Sequence, residues 1–545
     1  MSPRLRPWMD HLPAGTAATG LDLVGGRSLI DAWTTQWRAD PGQPTLVDAT
    51  STGDGRMVSA AELDERSAAA ARRLAAAGIG VGDRVLVSGA TSVDYVVAYL
   101  GVLRVGAVAL LVNSAYTERE VAVIAADARP ALAISDQPAM AAWLDAVVPG
   151  TRATSPALEG LPPATTNEET NATIDTVGAD DGALLVYTSG TTGVPKGVPL
   201  SHGNLLASAE AVRLAWQWTP QDRLALALPL YHMHGLGVGL HGTLTAGATA
   251  ILFDRFDPGA VIDAVGDGVT SGHGGHAGRG GRGGRERRRA TMFFGVPTMW
   301  NRLAAHPRLA ELGALRLGVS GSAPLPADLH AAIAASTGRA PLERYGMSET
   351  AMLVSNPFEG ERRAGSVGFP LPQVEVRLAE RPGGAAEIEV RGPNVFAGYL
   401  NRPDATAACF DGIWFRTGDL GEIDDDGYLH IVGRSKELII SGGFNVFPRE
   451  VEDVLRACPG VVDAAVIGVP DPEWGERVTA FVVLAPGAAG LDGAGGIDDA
   501  TLAAWAADRL VGYKRPRRWE RLDAIPVNAM GKVQRDVLSR LATGT

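Results

Sequence analysis

The sequence predicts an α/β protein with a large N-terminal body of doubly wound sheets and a β-rich subdomain, followed by a small C-terminal α+β lid domain. Residues 60–180 alternate helical stretches with short β-branched runs, the pattern that parallel strands joined by crossover helices produce. A second series of the same kind runs over 222–350, and after about Val374 the pattern changes to alternating strands and tight turns. Beyond Gly433 the chain has amphipathic helices of its own, which places a domain boundary between 1–433 and 434–545 with a hinge at 434–437.

Each element has a local reason. Residues 60–77 are rich in Ala and Arg and read as a helix, and 84–88 and 132–135 read as buried strands. Residues 95–112 are almost unbroken in apolarity, but Arg104 stands at their centre with Gly101 and Gly106 beside it. A membrane span tolerates that poorly, so the stretch reads as a buried helix running into a buried strand over 105–112. Strands are expected at 223–228, 248–253, 291–294 and 316–320, with helices between them. In the β-rich part, 387–391 is a strand and Asp424-Asp425-Asp426-Gly427 a hairpin turn before the strand 428–432. At the C-terminus Val451, Val454 and Leu455 form one apolar helix face and Leu502, Trp505 and Ala506 another, with strands at 464–469 and 478–484.

Composition narrows the function. The chain has 545 residues, enough to bury a large core without disulfide or metal staples, and holds only Cys409 and Cys458. Two thiols favour a reducing compartment. The first residues, MSPRLRPWMDHLP, lack the apolar run of a secretory signal, so a cytoplasmic location is expected. A net charge of −12 argues against nucleic acid or anionic membrane as the partner of the whole molecule, so an anionic ligand must meet local positive charge. The segment 271–289 packs eight Gly, six Arg and two His into nineteen residues and supplies no core; it is expected to be a disordered surface insertion. RNA binding through this Arg/Gly segment is the alternative from another functional class.

The strongest local signal is YTSGTTGVPKG at 187–197, directly after an apolar run. Glycines admit an anion close to the backbone, hydroxyls and N–H groups donate to phosphate oxygens, and Lys196 neutralises charge, so the string reads as a phosphate cradle. It is not a Walker loop, because Pro195 stands where the second Gly is needed and Gly197 follows the lysine.

This string resembles the signature loop of the acyl- and aryl-acid adenylating superfamily. Further blocks follow in the family's order: RYGMSET at 344–350, WFRTGDL at 414–420, GRSKELI at 433–439, SGGFNVFP at 441–448 and NAMGK at 528–532. The resemblance implies an AMP-forming acid–thiol ligase that uses ATP, Mg²⁺ and, as a substrate, coenzyme A. It implies that Thr188, Ser189, Gly190, Thr191, Thr192, Gly193 and Lys196 hold phosphates, and that Tyr345, Gly346, Ser348, Glu349 and Thr350 serve adenine and metal. Glu349 is a hard oxygen ligand suited to Mg²⁺. Asp419 would accept the ribose hydroxyls with Arg434 donating beside it. Lys532 would be carried in for adenylation, its ammonium stabilising charge between carboxylate and α-phosphate. Lys436 would be the pivot, and Gly442 and Gly443 would line the path of the thiol.

The acid pocket rests on PLYHMHG at 229–235, GVPTMWNR at 295–302, VSGSAP at 319–324 and ERYGM at 343–347, which look most like the malonyl-CoA synthetase branch. A dicarboxylate needs a fixed cation for its second carboxylate, and Arg302 and Arg344 are the candidates. Ser322, Met233 and Met352 complete the expected acid set, with His232 gating it. Met233 and Trp300 depart from the branch pattern, which expects a smaller residue and a tyrosine. A fatty or other short- or medium-chain acid is the alternative substrate, and a carrier-protein thiol the alternative acceptor.

Overall fold

The computed structural model describes residues 4–53, 55–163, 174–188, 195–269, 289–380, 386–485, 497–528 and 533–543. The phosphate-loop residues Ser189, Gly190, Thr191, Thr192 and Gly193, the lysine Lys532 and nearly all of the segment 271–289 lie outside them. The chain divides into two compact units. One comprises Arg6–Glu375 and Arg391–Ile413; the other comprises Val376–Val390 and Trp414–Thr545 with Met1–Leu5.

The larger unit contains two sheets. One orders nine described strands as Phe369–Pro370, Ala351–Ser355, Leu342–Met347, Leu317–Ser320, Met292–Gly295, Arg223–Leu226, Thr249–Leu252, Pro44–Asp48 and Met57–Ser59. The six from Leu342–Met347 to Pro44–Asp48 are parallel. The other orders Arg152–Thr154, Leu132–Ser135, Arg84–Ser88, Val108–Leu111, Gly182–Thr188 and Lys196–Ser201, with only the last pair antiparallel. The crossovers are helices, as the alternation in the sequence requires. Ala60–Ala76 starts on a Ser59 cap whose side chain accepts from the Glu62 N–H, and packs its Ala face so tightly that a Cβ on Gly101 would come within 2.7 Å of Ala70.

The apolar stretch 95–112 is a helix, Val93–Arg104, then a strand, Val108–Leu111. The strand begins three residues later than expected, because Gly106 turns the chain at φ +81°. Arg104 is 2% exposed and is held by Asp64 and Asp175, each at 2.7 Å, a charge buried because it is paired. Among the described residues no helix is long and apolar enough to cross a membrane.

Among the described residues of this unit His11, His202, His234, His241 and His330 are buried. Burial pushes His11 and His202 down to about 4 and His241 to about 3, and the Tyr99 hydroxyl lies 2.8 Å from His241 Nε2. Their folded values lie below the unfolded value of about 6.5, so the unfolded chain takes up these protons first. Stability is full above that value and lost as pH falls from about 6.5 towards 4, by about 1.4 kcal/mol per pH unit for each histidine. The urea midpoint of unfolding is therefore expected to drop steeply between pH 6.5 and 5. A midpoint flat across that range would contradict this account.

In the smaller unit, Glu375–Glu380, Ala386–Arg391, Trp414–Ile423 and Leu429–Arg434 form the β-rich sheet, and Phe444–Val446, Ile439–Ser441, Gly475–Leu484, Val461–Asp471 and Arg518–Arg521 a second one. Helices Pro448–Arg456 and Asp499–Arg509 cover the latter through Val451, Leu455, Leu502 and Ala506, the two apolar faces seen in the sequence. The β-rich sheet belongs to this unit because its last strand touches the helical part: Arg449 donates to the Ile431 carbonyl at 2.6 Å, and a Cβ on Gly433 would meet the Phe447 ring at 3.1 Å. The expected hinge at 434–437 and the expected boundary at 433/434 thus lie within this unit.

Candidate active site

The described ends of the phosphate-loop string lie in an antiparallel pair, Gly182–Thr188 with Lys196–Ser201, in which Thr188 faces Lys196. Its stem is braced from outside. Tyr187 donates to Asp127 Oδ2 at 2.8 Å, and the Leu400 N–H donates to the Gly197 carbonyl at 2.9 Å. Gly197 allows that approach, since a Cβ there would stand 3.1 Å from both Leu400 and the Tyr187 ring.

RYGMSET forms a hairpin between Leu342–Met347 and Ala351–Ser355, with Ser348, Glu349 and Thr350 in its turn. Gly346 is obligatory at this point, because a Cβ would lie 2.0 Å from the Ala351 carbonyl oxygen. Tyr345 is 7% exposed on the same strand. Thr350 is fully buried with its hydroxyl unpartnered, and Asn394 fixes the turn by donating to the Thr350 and Met352 carbonyls at 2.8 Å each. Glu349 is 5% exposed and accepts from the Tyr399 hydroxyl at 3.0 Å. Among the described residues no group of three or more metal-ligating side chains occurs. A single buried carboxylate fits Mg²⁺, which takes one or two protein carboxylates and completes its shell with phosphate oxygens and water.

Between these elements opens a small cleft lined by Leu111, Asn113, Tyr116, Val186, Tyr187, Tyr231, His232, Met233 and Ser348. These residues sit at or just beyond the carboxyl ends of strands from both sheets, where ligands bind in open α/β folds. His232 is pushed down to about 4 by burial, so it is neutral at physiological pH. The next residues, His234–Leu240, form a π-helical segment in which the Val238 N–H bonds to the Met233 carbonyl at 2.9 Å. Such segments are rare and concentrate at functional sites. Met233 fits because Gly237 has no side chain: a Cβ there would be 2.4 Å from the Met233 methyl carbon.

The two candidate arginines part company. Arg344 is 7% exposed, burial pushes its guanidinium down to about 9, and its Nε and one Nη have no partner. Gly321 leaves the space it fills, since a Cβ there would be 2.4 Å from Arg344 Nε. Its charge is felt by His234, whose Nε2 and the nearby Ser320 hydroxyl are likewise buried and unpartnered. Ser322, in the left-handed region at φ +72°, places its hydroxyl 3.3 Å from His234 Nδ1. Arg302, by contrast, is exposed and lies over the Phe256 ring at 5.0 Å. Helix Pro297–Ala304 buries Trp300 and Leu303, and Arg302 projects from its other side. The two arginines therefore stand in different surroundings, Arg302 exposed and Arg344 buried. Trp300 is core rather than pocket: it donates to the Val319 carbonyl at 3.1 Å and meets Phe293 edge-on. Met352 is 1% exposed, its N–H bonded to Ser208 Oγ at 3.2 Å.

In the smaller unit, Asp419 and Arg434 face each other in register and pair at 2.9 Å, with Asp419 only 3% exposed. Lys436 is exposed in the turn that follows. Gly442 and Gly443, at φ +59° and +81°, form the two-residue turn between Ser441 and Phe444. Both positions demand glycine for the hairpin alone, a reason the expected thiol path does not require. Arg535, three residues after Lys532, is held by Glu437 and Glu452 at 2.9 Å each.

Sequence reasoning missed Tyr399, Tyr116, Asn113 and Tyr231. Tyr231 lies within PLYHMHG beside His232 and could have been found there; the other three stand outside the quoted blocks, and only the folded chain brings them to the site.

The chain is similar to several known proteins. Residues 33–400 match the AMP-binding enzyme family and residues 450–532 the AMP-binding enzyme C-terminal domain. A feruloyl-CoA synthase from Amycolatopsis sp is 39% identical over 89% of this chain and 94% of its own length. A malonate–CoA ligase from Arabidopsis thaliana is 36% identical over 66% of this chain and 61% of its own. The crystal structure of ATP-bound MatB from Rhodopseudomonas palustris superposes with a TM-score of 0.83 at 38% identity, covering 94% of this chain and 99% of that one. The chain belongs to the AMP-binding enzyme family. More narrowly, its activity is that of an acid–CoA ligase, an acyl-CoA synthetase with the adenylate-forming fold.

Proposed function

We propose that the protein is a malonate–CoA ligase, joining malonate to coenzyme A with cleavage of ATP to AMP and pyrophosphate. The observation that supports this acid is Arg344. A buried guanidinium with no carboxylate partner is costly, and it becomes favourable when a ligand brings one, as the second carboxylate of malonate would. The malonate–CoA ligase relative adds to this reading. Arg302, exposed on its helix, is not needed for it.

In this reading Thr188, Lys196 and the loop between them hold the triphosphate, Tyr345 and Gly346 flank adenine, and Asp419 with Arg434 takes the ribose. Glu349 would hold Mg²⁺, which supplies charge neutralisation at the phosphates. One malonate oxygen attacks the α-phosphorus and pyrophosphate leaves, with Lys532 stabilising the charge that develops. The thiol sulfur of coenzyme A then attacks the acyl carbon and AMP leaves, after residues 434–545 turn about Lys436. Neutral His232 sits at the cleft as a gate, and Met233 narrows it against branched acids. A cytoplasmic location fits the two unpaired thiols, Cys409 and Cys458.

A second reading, an aromatic propenoic acid, is favoured by Tyr116 and Tyr231 in the cleft and by the feruloyl-CoA synthase relative. Initial rates with malonate, methylmalonate, acetate, octanoate and ferulate separate the two. Malonate is expected to turn over fastest, with methylmalonate slower. Ferulate or octanoate above malonate would replace the malonate assignment.

A further inference from the structure

Tyr399 touches both charged groups that the nucleotide reading needs. Its hydroxyl donates to Glu349 Oε1 at 3.0 Å, and Lys196 Nζ stands 4.8 Å from the centre of its ring. The residue is itself fixed. Phe396 meets its ring edge-on at 4.9 Å, and its N–H donates to Thr406 Oγ1 at 2.9 Å. The neighbouring backbone is tied to both strands' partners: the Phe396 N–H bonds to the Glu349 carbonyl and the Leu400 N–H to the Gly197 carbonyl, each at 2.9 Å. One short segment thus clamps the turn bearing the carboxylate and the strand bearing the lysine.

We propose that Tyr399 is a positioning residue for nucleotide and metal, orienting the Glu349 carboxylate through its hydroxyl and the Lys196 ammonium through its ring face. The inference rests on the nucleotide-site reading above. A carboxylate anchored by a hydrogen bond is held in a fixed direction, so the metal meets a preset ligand. A cation over a tyrosine ring is steered without being neutralised, so Lys196 keeps its charge for phosphate.

The two contacts can be separated. Tyr399→Phe keeps the ring and loses the hydroxyl; Tyr399→Leu loses both. Isothermal titration of the intact protein with ATP, in EDTA and then in saturating Mg²⁺, reads them without any acid being turned over. Tyr399→Phe is expected to bind metal-free ATP as the wild type does and MgATP about tenfold more weakly, the size of one lost hydrogen bond to a charged group. Tyr399→Leu is expected to weaken both. If Tyr399→Phe weakens both forms equally, or neither, the positioning role is overturned, and that holds even if the leucine variant does not fold. Wild-type protein that binds neither form would instead overturn the nucleotide site itself, and the role of Tyr399 with it.

Discussion

Replacing Lys532 by alanine is expected to lower acid-dependent exchange of pyrophosphate into ATP by about 10²- to 10³-fold, the usual cost of removing one preorganised donor from a developing negative charge. The carboxylate and the α-phosphate are both anionic, and their approach needs a cation that is present at the transition state. In the proposed reading Lys196 does not substitute for it, because it serves the phosphate loop and stands over Tyr399. The second half-reaction should survive. Supplied with preformed malonyl-adenylate and coenzyme A, the variant is expected to form thioester at a rate near that of the wild type. Exchange that persists at the wild-type rate would remove Lys532 from the chemistry. Loss of both half-reactions together would make it a structural residue.

The second large effect concerns Arg344. The Arg344→Met variant keeps most of the side chain's length and removes the charge. Malonate kcat/KM is expected to fall by two or more orders of magnitude, because the second carboxylate would then be buried unpaired at a cost of several kcal/mol. Stability should move the other way. In the free protein the guanidinium is 7% exposed with two unpartnered nitrogens, so exchanging it for a thioether relieves desolvation. A thermal midpoint equal to or above that of the wild type, with the KM for ATP unchanged, is the expected signature of a residue kept for its ligand. Unimpaired malonate turnover would mean that another group holds the second carboxylate. Arg302→Ala is the natural control: its exposed guanidinium rests on Phe256, and its removal is expected to leave malonate kcat/KM within about twofold, since surface substitutions change little.

Much of this molecule could be read in order along the chain. The helix over 60–77 and the strands at 84–88 and 132–135 fall within a residue of where the alternation put them. The strands expected at 248–253 and 223–228 are shorter by one or two residues at their ends, where hydrogen bonding rather than apolarity sets the limit. The phosphate-cradle string at 187–197 and the block at 344–350 are marked by contiguous residues as well, while the antiparallel pairs that carry them are seen only in the structure. The acid pocket was legible only in part. Arg302 and Arg344 offer the same charge in the sequence; what separates them is that Trp300 and Leu303 claim the inner face of one's helix, while the space left by Gly321 buries the other. The sequence suggests close approach by a thiol at Gly442 and Gly443; the hairpin turn they form accounts for glycine there by itself.

The amino-acid sequence alone determined the α/β class, the places where backbone must bend through glycine, and the ordered blocks that mark an adenylating enzyme. Those properties are local: φ preference, apolar period and the spacing of hydroxyls and a lysine all act within a few residues. Tertiary structure alone decided which charges are buried and what they touch. Glu349 meets Tyr399 across 50 residues of chain, and His234 meets Ser322 across 88. Electrostatic energy depends on distance and burial in the folded chain, and neither quantity exists until residues far apart in sequence are packed against one another.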